Sequence, residues 1–450
     1  MTEFVFLNWL VCIITSFTLA VLLWRYRFLI IKPSIIVIVF FHLQIQWAAT
    51  IYSGYIETYL LDPIPFAILA HAFPLIGLFI SFITMRNSTL VVWHRITNYS
   101  QNYIYTKSNR AIFLLFACVL FVMLWYLSYV PISKTGLFSI FFDPISSNQA
   151  REESLKLIPN VQLKYAFTFL KSTFSPLLAV LTALFIVYSF KRKFMVHVAF
   201  GIILLFGILI SVSLPGARSP AAIVILSIIW AFFLKKGMAI QFLHVITAFV
   251  VVLFVPVVLT ILRSGNEISF SIFLQYFTGS ISYRIFASPM ITALWHIQYV
   301  QQSGYVGIAA IPKLAYLFGL DPINVANLIH LEHFPGAAIS GLCNTCYVFS
   351  YYSYFGFSSI VFSLFGLWFL DLAVLVYKKL SDFILLSCVS AVSVACISFV
   401  SADYTTVILT FGFFPILIVS MVLDYCCRIK AKKLLKSKHE NSKFEKIISL

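Results

Sequence analysis

The chain has 450 residues, of which 61% are hydrophobic and 17% aromatic, and its mean hydropathy of +0.99 lies well outside the range of water-soluble domains. That composition excludes a soluble enzyme or binding module and points to an integral membrane protein. The net charge of +16 would suggest nucleic acid in a soluble chain, but here its position along the chain matters more than its total.

The apolar runs are about 20 residues long, enough for helices to cross a hydrocarbon core of roughly 30 Å, and the alternating pattern of a membrane barrel is missing. The predicted fold is an all-α integral membrane protein with eleven spans, near residues 4–24, 33–53, 64–85, 111–130, 165–190, 195–213, 219–234, 240–262, 350–377, 383–400 and 405–425. The first run follows an acidic start and has no small-residue cleavage site before Arg25-Tyr26-Arg27, so it reads as a span rather than a signal peptide. Residues 1–262 then hold spans one to eight, 263–349 form one large structured loop with short interfacial helices, 350–427 hold spans nine to eleven, and 428–450 form a basic tail. Alternating the connections puts 22 of the 31 Lys and Arg residues on one side, which is therefore cytoplasmic. The opposite side holds most of the acids, including Glu57, Asp62, Asp143, Glu152 and Glu153, and the amino terminus is exterior. The tail from Arg428 to Lys446 reads as a solvated anchor beside anionic lipid, with a specific binder as the alternative.

In the first half of the chain, His42 and His71 are single histidines on apolar faces and read as structural. Lys164 and Lys171, seven apart near the outer half of span five, share a helix face. The stretch SVSLPGARSPAAIV (211–224) is an exterior hairpin: Pro215-Gly216 ends one helix and Ser219-Pro220 opens the next, with Arg218 just before the new helix amino terminus. With Arg263, Arg284 and Lys313, Arg218 forms a set of exterior cations that oppose the usual charge bias. Each could snorkel to lipid head groups; together they suit the several negative charges of a lipid pyrophosphate, which guanidinium groups bind in bidentate fashion.

The loop from 263 to 349 holds two short apolar segments broken at Thr278-Gly279-Ser280, and then a Gly- and Pro-rich part carrying Lys313, Asp321, His330, Glu332 and His333. His330 and His333 share a face if that stretch is helical, and one of them, or Glu332 between them, could accept a proton from a sugar hydroxyl. The alternatives are zinc binding, which lacks a third ligand and an HExxH pattern, and interfacial polar residues that pack the loop. Cys343 and Cys346 have C-x-x-C spacing but no second pair, and read as a local disulfide or two unrelated thiols. Asp371, toward the inner end of span nine, is expected to pair with local lysines. No Walker A sequence and no strand-borne GxGxxG occurs, so nucleotide-driven chemistry has no support.

Four local patterns carry a resemblance to the Wzy-type O-antigen polymerases. The hairpin LPGARSPAAIVILSIIWAFFLKKG resembles that family's small-residue turn with a basic residue opening a span, and SYRIFASPM resembles its Arg-containing start of the large loop. IPKLAYLFGLDPINVANLIH resembles its proline and basic residue followed by a short helix, and PGAAISGL followed by YYSYFGF resembles its Gly-Ala stretch and aromatic-Phe-Gly lead into the next span. The match runs from about Leu214 to Leu370; the first five spans agree only in hydropathy. Where relatives often have an acidic residue ahead of the aromatic-Phe-Gly, this chain has Ser350, which moves the expected base to the His330, Glu332, His333 group or Asp321. The resemblance implies a GT-C-like glycosyltransferase of the bacterial inner membrane, with its active site facing the periplasm. Growing glycan would pass from undecaprenyl pyrophosphate to a lipid-linked repeat unit, with no nucleotide or soluble cofactor called for. A chain-length regulator and membrane lipids are the implied partners, and no nucleic acid. Arg218, Arg263, Arg284, Lys313 and Lys171 would bind substrate. An O-antigen ligase with lipid A core as acceptor is the near alternative, and a flippase or other transporter of lipid-linked sugar the distant one. The absence of an internal repeat argues against the transporter.

Overall fold

A computed structural model describes residues 2–98, 105–142, 150, 153–154, 156–216, 219–238, 257–258, 261, 269–281, 283–336, 342–410 and 412–428. These residues form helices and their links, with no strand among them. In chain order, α1 (Thr2–Arg25) ends on its basic residue. α2 (Pro33–Ile51) opens with proline at its first turn and carries a π-helical turn at His42–Gln46. α3 (Ser53–Tyr59) and α4 (Ile64–Ile83) follow, then α5 (Arg86–Thr97), α6 (Tyr105–Leu127) and the short α7 (Gly136–Phe142). α8 (Val161–Lys191) contains a second π turn at Leu170–Phe174, and is followed by α9 (Met195–Ser213) and α10 (Ser219–Lys235). In the long loop lie α11 (Phe270–Gln275), α12 (Ser288–Ser303), α13 (Pro312–Leu317) and α14 (Val325–His333). α15 (Tyr347–Phe355) stops at Gly356, whose φ of 64° suits glycine, before α16 (Ser358–Lys379), α17 (Asp382–Val400) and α18 (Tyr404–Arg428).

Nine of these helices are long and apolar enough to cross a membrane: α1, α2, α4, α6, α8, α9, α16, α17 and α18. α10, at the expected seventh span, is apolar but 17 residues long. The expected eighth span, near 240–262, lies almost wholly outside the described residues, as do Asp143, Glu152 and the tail beyond Arg428. One local expectation changes: Thr278-Gly279-Ser280 does not break the loop's first segment. α11 runs on through a π-helical turn at Tyr276–Ile281, because a single glycine is tolerated within helical backbone.

The chain divides into two units, one made of Met1–Trp93, Ile240–Leu375 and Ser393–Phe411, the other of His94–Ala239, Val376–Val392 and Gly412–Leu450. In the first, α2 and α4 approach α16 so closely that a Cβ on Gly77 would stand 2.9 Å from Leu367 and 3.2 Å from Ile38. The same helices share a buried ion pair. Asp371 does not pair with lysines near it in sequence; its carboxylate lies 2.8 Å from the Nζ of Lys32, and both side chains are essentially inaccessible. The reason is local: Asp371 also accepts the Ser34 backbone N–H (3.1 Å), capping the start of α2, and the Thr84 hydroxyl (3.1 Å). The ammonium in turn donates to the carbonyls of Ser81 and Thr84. Burial of both charges is tolerated because each is met by the other and by further hydrogen bonds.

Above this clasp the two expected single histidines are joined. His42 Nδ1 donates to Gln46 Oε1 at 2.5 Å, Gln46 Nε2 donates to His71 Nδ1 at 3.2 Å, and His71 Nε2 donates to Asn8 Oδ1 at 2.6 Å. Trp47 Nε1 closes the other end by donating to His42 Nε2 at 3.1 Å. The pattern assigns one tautomer to each ring and links α1, α2 and α4 without a charge.

In the second unit, α8 packs against α6, α9 and α10. The turn that ends α9 rests on the start of α7: Leu137 N donates to Leu214 O at 3.1 Å, and the backbones of Gly136 and Gly216 touch. Arg95 binds Asp382 at 2.6 Å and 2.9 Å and caps the carbonyls of Lys378 and Leu380. Nearby, Asp424 pairs with Arg428 at 2.7 Å and accepts from Ser381 N.

Candidate functional site

α14 begins at Asn324, whose side chain accepts the Asn327 N–H, and it buries Val325 and Ile329. The stretch is thus helical through His330, Glu332 and His333, the condition under which the two histidines share a face. At roughly 100° per residue His330 and His333 lie about 60° apart on it, while Glu332 points away from His330 and is exposed.

His333 is half-buried, and its ring stacks on Trp295 of α12, with centroids 4.2 Å apart and planes 16° from parallel. Tyr59, the last residue of α3, meets both rings edge-on at 6.0 Å and 6.1 Å. Tyr59 itself stacks on Tyr55 at 6.1 Å, and Tyr55 adjoins Tyr52. Burial lowers the pKa of His333, against the opposing pull of the Glu332 carboxylate. The imidazole is thus neutral near pH 7 and able to accept a proton. His330 sits behind, its Nδ1 3.9 Å from Cys343 Sγ and its Nε2 buried without a partner.

Behind α14, His296 is 1% exposed. Its Nε2 donates to the Cys343 carbonyl at 3.0 Å, and its Nδ1 lies 3.2 Å from the Ser353 hydroxyl. Burial pushes its pKa down to about 4. Sequence reasoning passed over this residue, although it falls on the stripe formed by Pro289, Ala293, Ile297 and Val300, whose spacing marks the buried face of α12. Cys343 and Cys346 are free and buried rather than bridged, and burial raises their pKa values to about 11 and about 12. Thiols so placed are poor nucleophiles.

Arg284 lies exposed in the π-helical turn Tyr283–Ala287 that leads into α12. Its neighbour Tyr283 has its pKa raised by burial and by the phenols of Tyr55 and Tyr59, so this segment adjoins the aromatic row. The first unit thus brings Arg284, the tyrosines of α3, Trp295 and His333 into one region. Asp321 is exposed in the non-helical link between α13 and α14, and no described contact joins it to the histidines. Lys313 belongs to α13, but its side chain is outside the description, and Arg263 and Arg218 lie outside the described residues altogether. In the second unit, Lys171 occupies the π turn of α8, half-buried, with its ammonium 5.2 Å from the centre of the Phe167 ring; Lys164 is exposed.

No family profile, curated protein or solved structure matches this chain. Among the described residues no three His, Cys, Asp or Glu side chains converge on a point that could hold a metal ion. The chemistry that the region offers is a neutral imidazole fixed on an indole, aromatic faces beside it, and an exposed guanidinium on the adjoining turn.

Proposed function

We propose that the protein is a membrane glycosyltransferase that polymerises lipid-linked oligosaccharide repeat units, working at the periplasmic face of a bacterial inner membrane. The observation that carries this reading is the stack of His333 on Trp295, flanked by Tyr59 and continuous with the segment that bears Arg284. Aromatic faces suit the C–H surfaces of sugar rings, a neutral imidazole suits deprotonation of an acceptor hydroxyl, and a guanidinium suits a pyrophosphate leaving group. In the proposed step the acceptor oxygen bonds to the anomeric carbon of the growing glycan as the bond from that carbon to the pyrophosphate oxygen breaks. The hydroxyl proton passes to His333, and undecaprenyl pyrophosphate leaves with its new negative charge facing Arg284. The sugar–pyrophosphate bond supplies the energy, so no nucleotide enters. Arg218, Arg263 and Lys313 are proposed as further phosphate contacts on the strength of the sequence alone.

The test is a gel of surface glycan from a strain lacking the gene, complemented with wild type, Arg284→Ala or His333→Ala. The expected result is core bearing a single repeat in the deletion strain, a ladder with wild type, and no ladder with either variant although both reach the membrane. Bare core with accumulating lipid-linked polymer would instead indicate a ligase, and an unchanged ladder in the deletion strain would refute both activities.

A further inference from the structure

Beside the aromatic row, within the first unit, the end of α3 and the link after it face the last two turns of α12 across a cavity of about 180 Å³. At roughly 30 Å³ per water it has room for about six waters, or for one sugar ring in their place. Its walls include Glu57, Thr58, Tyr59, Gln298, Gln301 and Gln302. Gln301 is occupied in building the wall: its Oε1 accepts the Leu61 N–H at 3.1 Å and its Nε2 donates to the Asp62 carbonyl at 2.7 Å. Gln298 is not, for its Oε1 is shielded from solvent and accepts nothing. One turn earlier on α12, the Nε1 of Trp295 is likewise buried without an acceptor. Neither atom is reached from the cavity as the side chains stand, so the open Gln298 amide would meet a ligand there by turning about its last side-chain torsion.

The wall chemistry narrows the class of ligand. Amides and a hydroxyl offer both donors and acceptors, which matches a polyol. Glu57, exposed at the rim, can accept from two neighbouring hydroxyls at once. No cationic side chain lines the cavity, and Glu57 would repel a phosphate, so this is not a pyrophosphate site. Tyr59 supplies an apolar face at the edge. We propose that this cavity is a subsite for a single uncharged pyranose of the glycan, with Glu57 gripping vicinal hydroxyls and the Gln298 amide turning its open Oε1 toward a third. That the sugar belongs to a lipid-linked repeat rests on the glycosyltransferase reading; that the cavity takes a sugar does not.

The test uses the purified full-length protein in detergent and oligosaccharides released by mild acid from the host's surface polysaccharide, followed by saturation-transfer NMR. Wild type is expected to bind, with saturation reaching the ring protons of one residue. Gln298→Leu and Glu57→Gln are expected to weaken binding at least tenfold. Glu57 is exposed, so its variant is expected to fold even if the Gln298 variant does not. Failure of the wild-type protein to bind, binding undiminished in Glu57→Gln, or displacement of the sugar by inorganic pyrophosphate would each overturn the proposal. Because this experiment reads binding and the gel reads polymer in cells, the two fail separately: variant-sensitive binding beside a normal ladder in the deletion strain would sink the polymerase and leave the subsite standing.

Discussion

His296 ties the long loop together, and its burial makes that tie dependent on pH in a calculable way. In the folded chain the ring is held neutral, with its pKa pushed down to about 4 by burial while its bond to the Cys343 carbonyl opposes the shift. In an unfolded chain histidine titrates near ~6.5. Between those values the unfolded state binds more protons, so stability rises with pH. The contribution is complete above the unfolded pKa and is lost as pH falls toward 4. Linkage over this gap amounts to about 3 kcal/mol in total, of which about 2 kcal/mol is lost between pH 7 and pH 5. Thermal unfolding in detergent can be followed with a thiol-reactive dye, because the buried thiols of Cys343 and Cys346, with pKa values raised to about 11 and about 12, react only once the loop opens. His296→Gln keeps a donor for the Cys343 carbonyl and cannot be protonated, so at pH 7 it should cost little. At pH 5 it should unfold at a higher temperature than wild type. His333 shifts in the same direction but is present in both proteins, so the comparison isolates His296. An equal fall in unfolding temperature for wild type and variant between pH 7 and pH 5 would refute the reasoning.

Three other perturbations test the packing. Lys32→Met leaves Asp371 charged and buried and should cost about 3–5 kcal/mol, whereas Lys32→Met with Asp371→Leu should recover most of it; the readout is unfolding temperature, and equal loss in the single and double variants would argue against the clasp. Gly136→Ala puts a Cβ 2.3 Å from the Pro215 carbonyl oxygen, a backbone atom that cannot rotate away. It should cost about 1–3 kcal/mol and disturb the turn before Arg218, while Gly207→Ala, which meets nothing within 4 Å, should leave melting and polymer unchanged. Gln46→Leu strands a nitrogen on each of His42 and His71 and should lower stability by about 1–3 kcal/mol, checked by the same melt; a wild-type melting temperature would show that the bonds contribute nothing net.

How much of this could be read beforehand depended on the sequence distance over which each feature is decided. Nine spans are legible because hydropathy over about 20 residues is a local property. The helix under His330 and His333 is legible for the same reason, from Asn324 as its cap and from the spacing of Val325 and Ile329. The stack that gives His333 its character is not, because Trp295 and Tyr59 approach it from α12 and α3, and nothing in either segment signals the meeting. Asp371 was misdirected to nearby lysines because its partner Lys32 is fixed by the crossing of α16 over α2. His42 and His71 looked solitary because Gln46, one helical turn after His42, is joined to His71 only where α4 meets α2, and His71 to Asn8 only where α1 meets α4.

That division has a bearing on where chemistry can be sought in a chain of this composition. In hydrocarbon a polar side chain must be satisfied by its neighbours, and the clasp at Lys32 and most of the chain from Asn8 to Trp47 meet that demand, which leaves little capacity there for a substrate. Outside the spans, Trp295 Nε1, Gln298 Oε1 and His330 Nε2 are buried and open, and they lie on two helices, α12 and α14, that pack together. Open groups occur within the spans as well, chiefly lone hydroxyls such as those of Ser175, Thr182 and Ser359. What sets the loop apart is that an indole N–H, an amide oxygen and an imidazole nitrogen are left open on two packed helices beside the aromatic row, as a scaffold carrying a binding site would leave them.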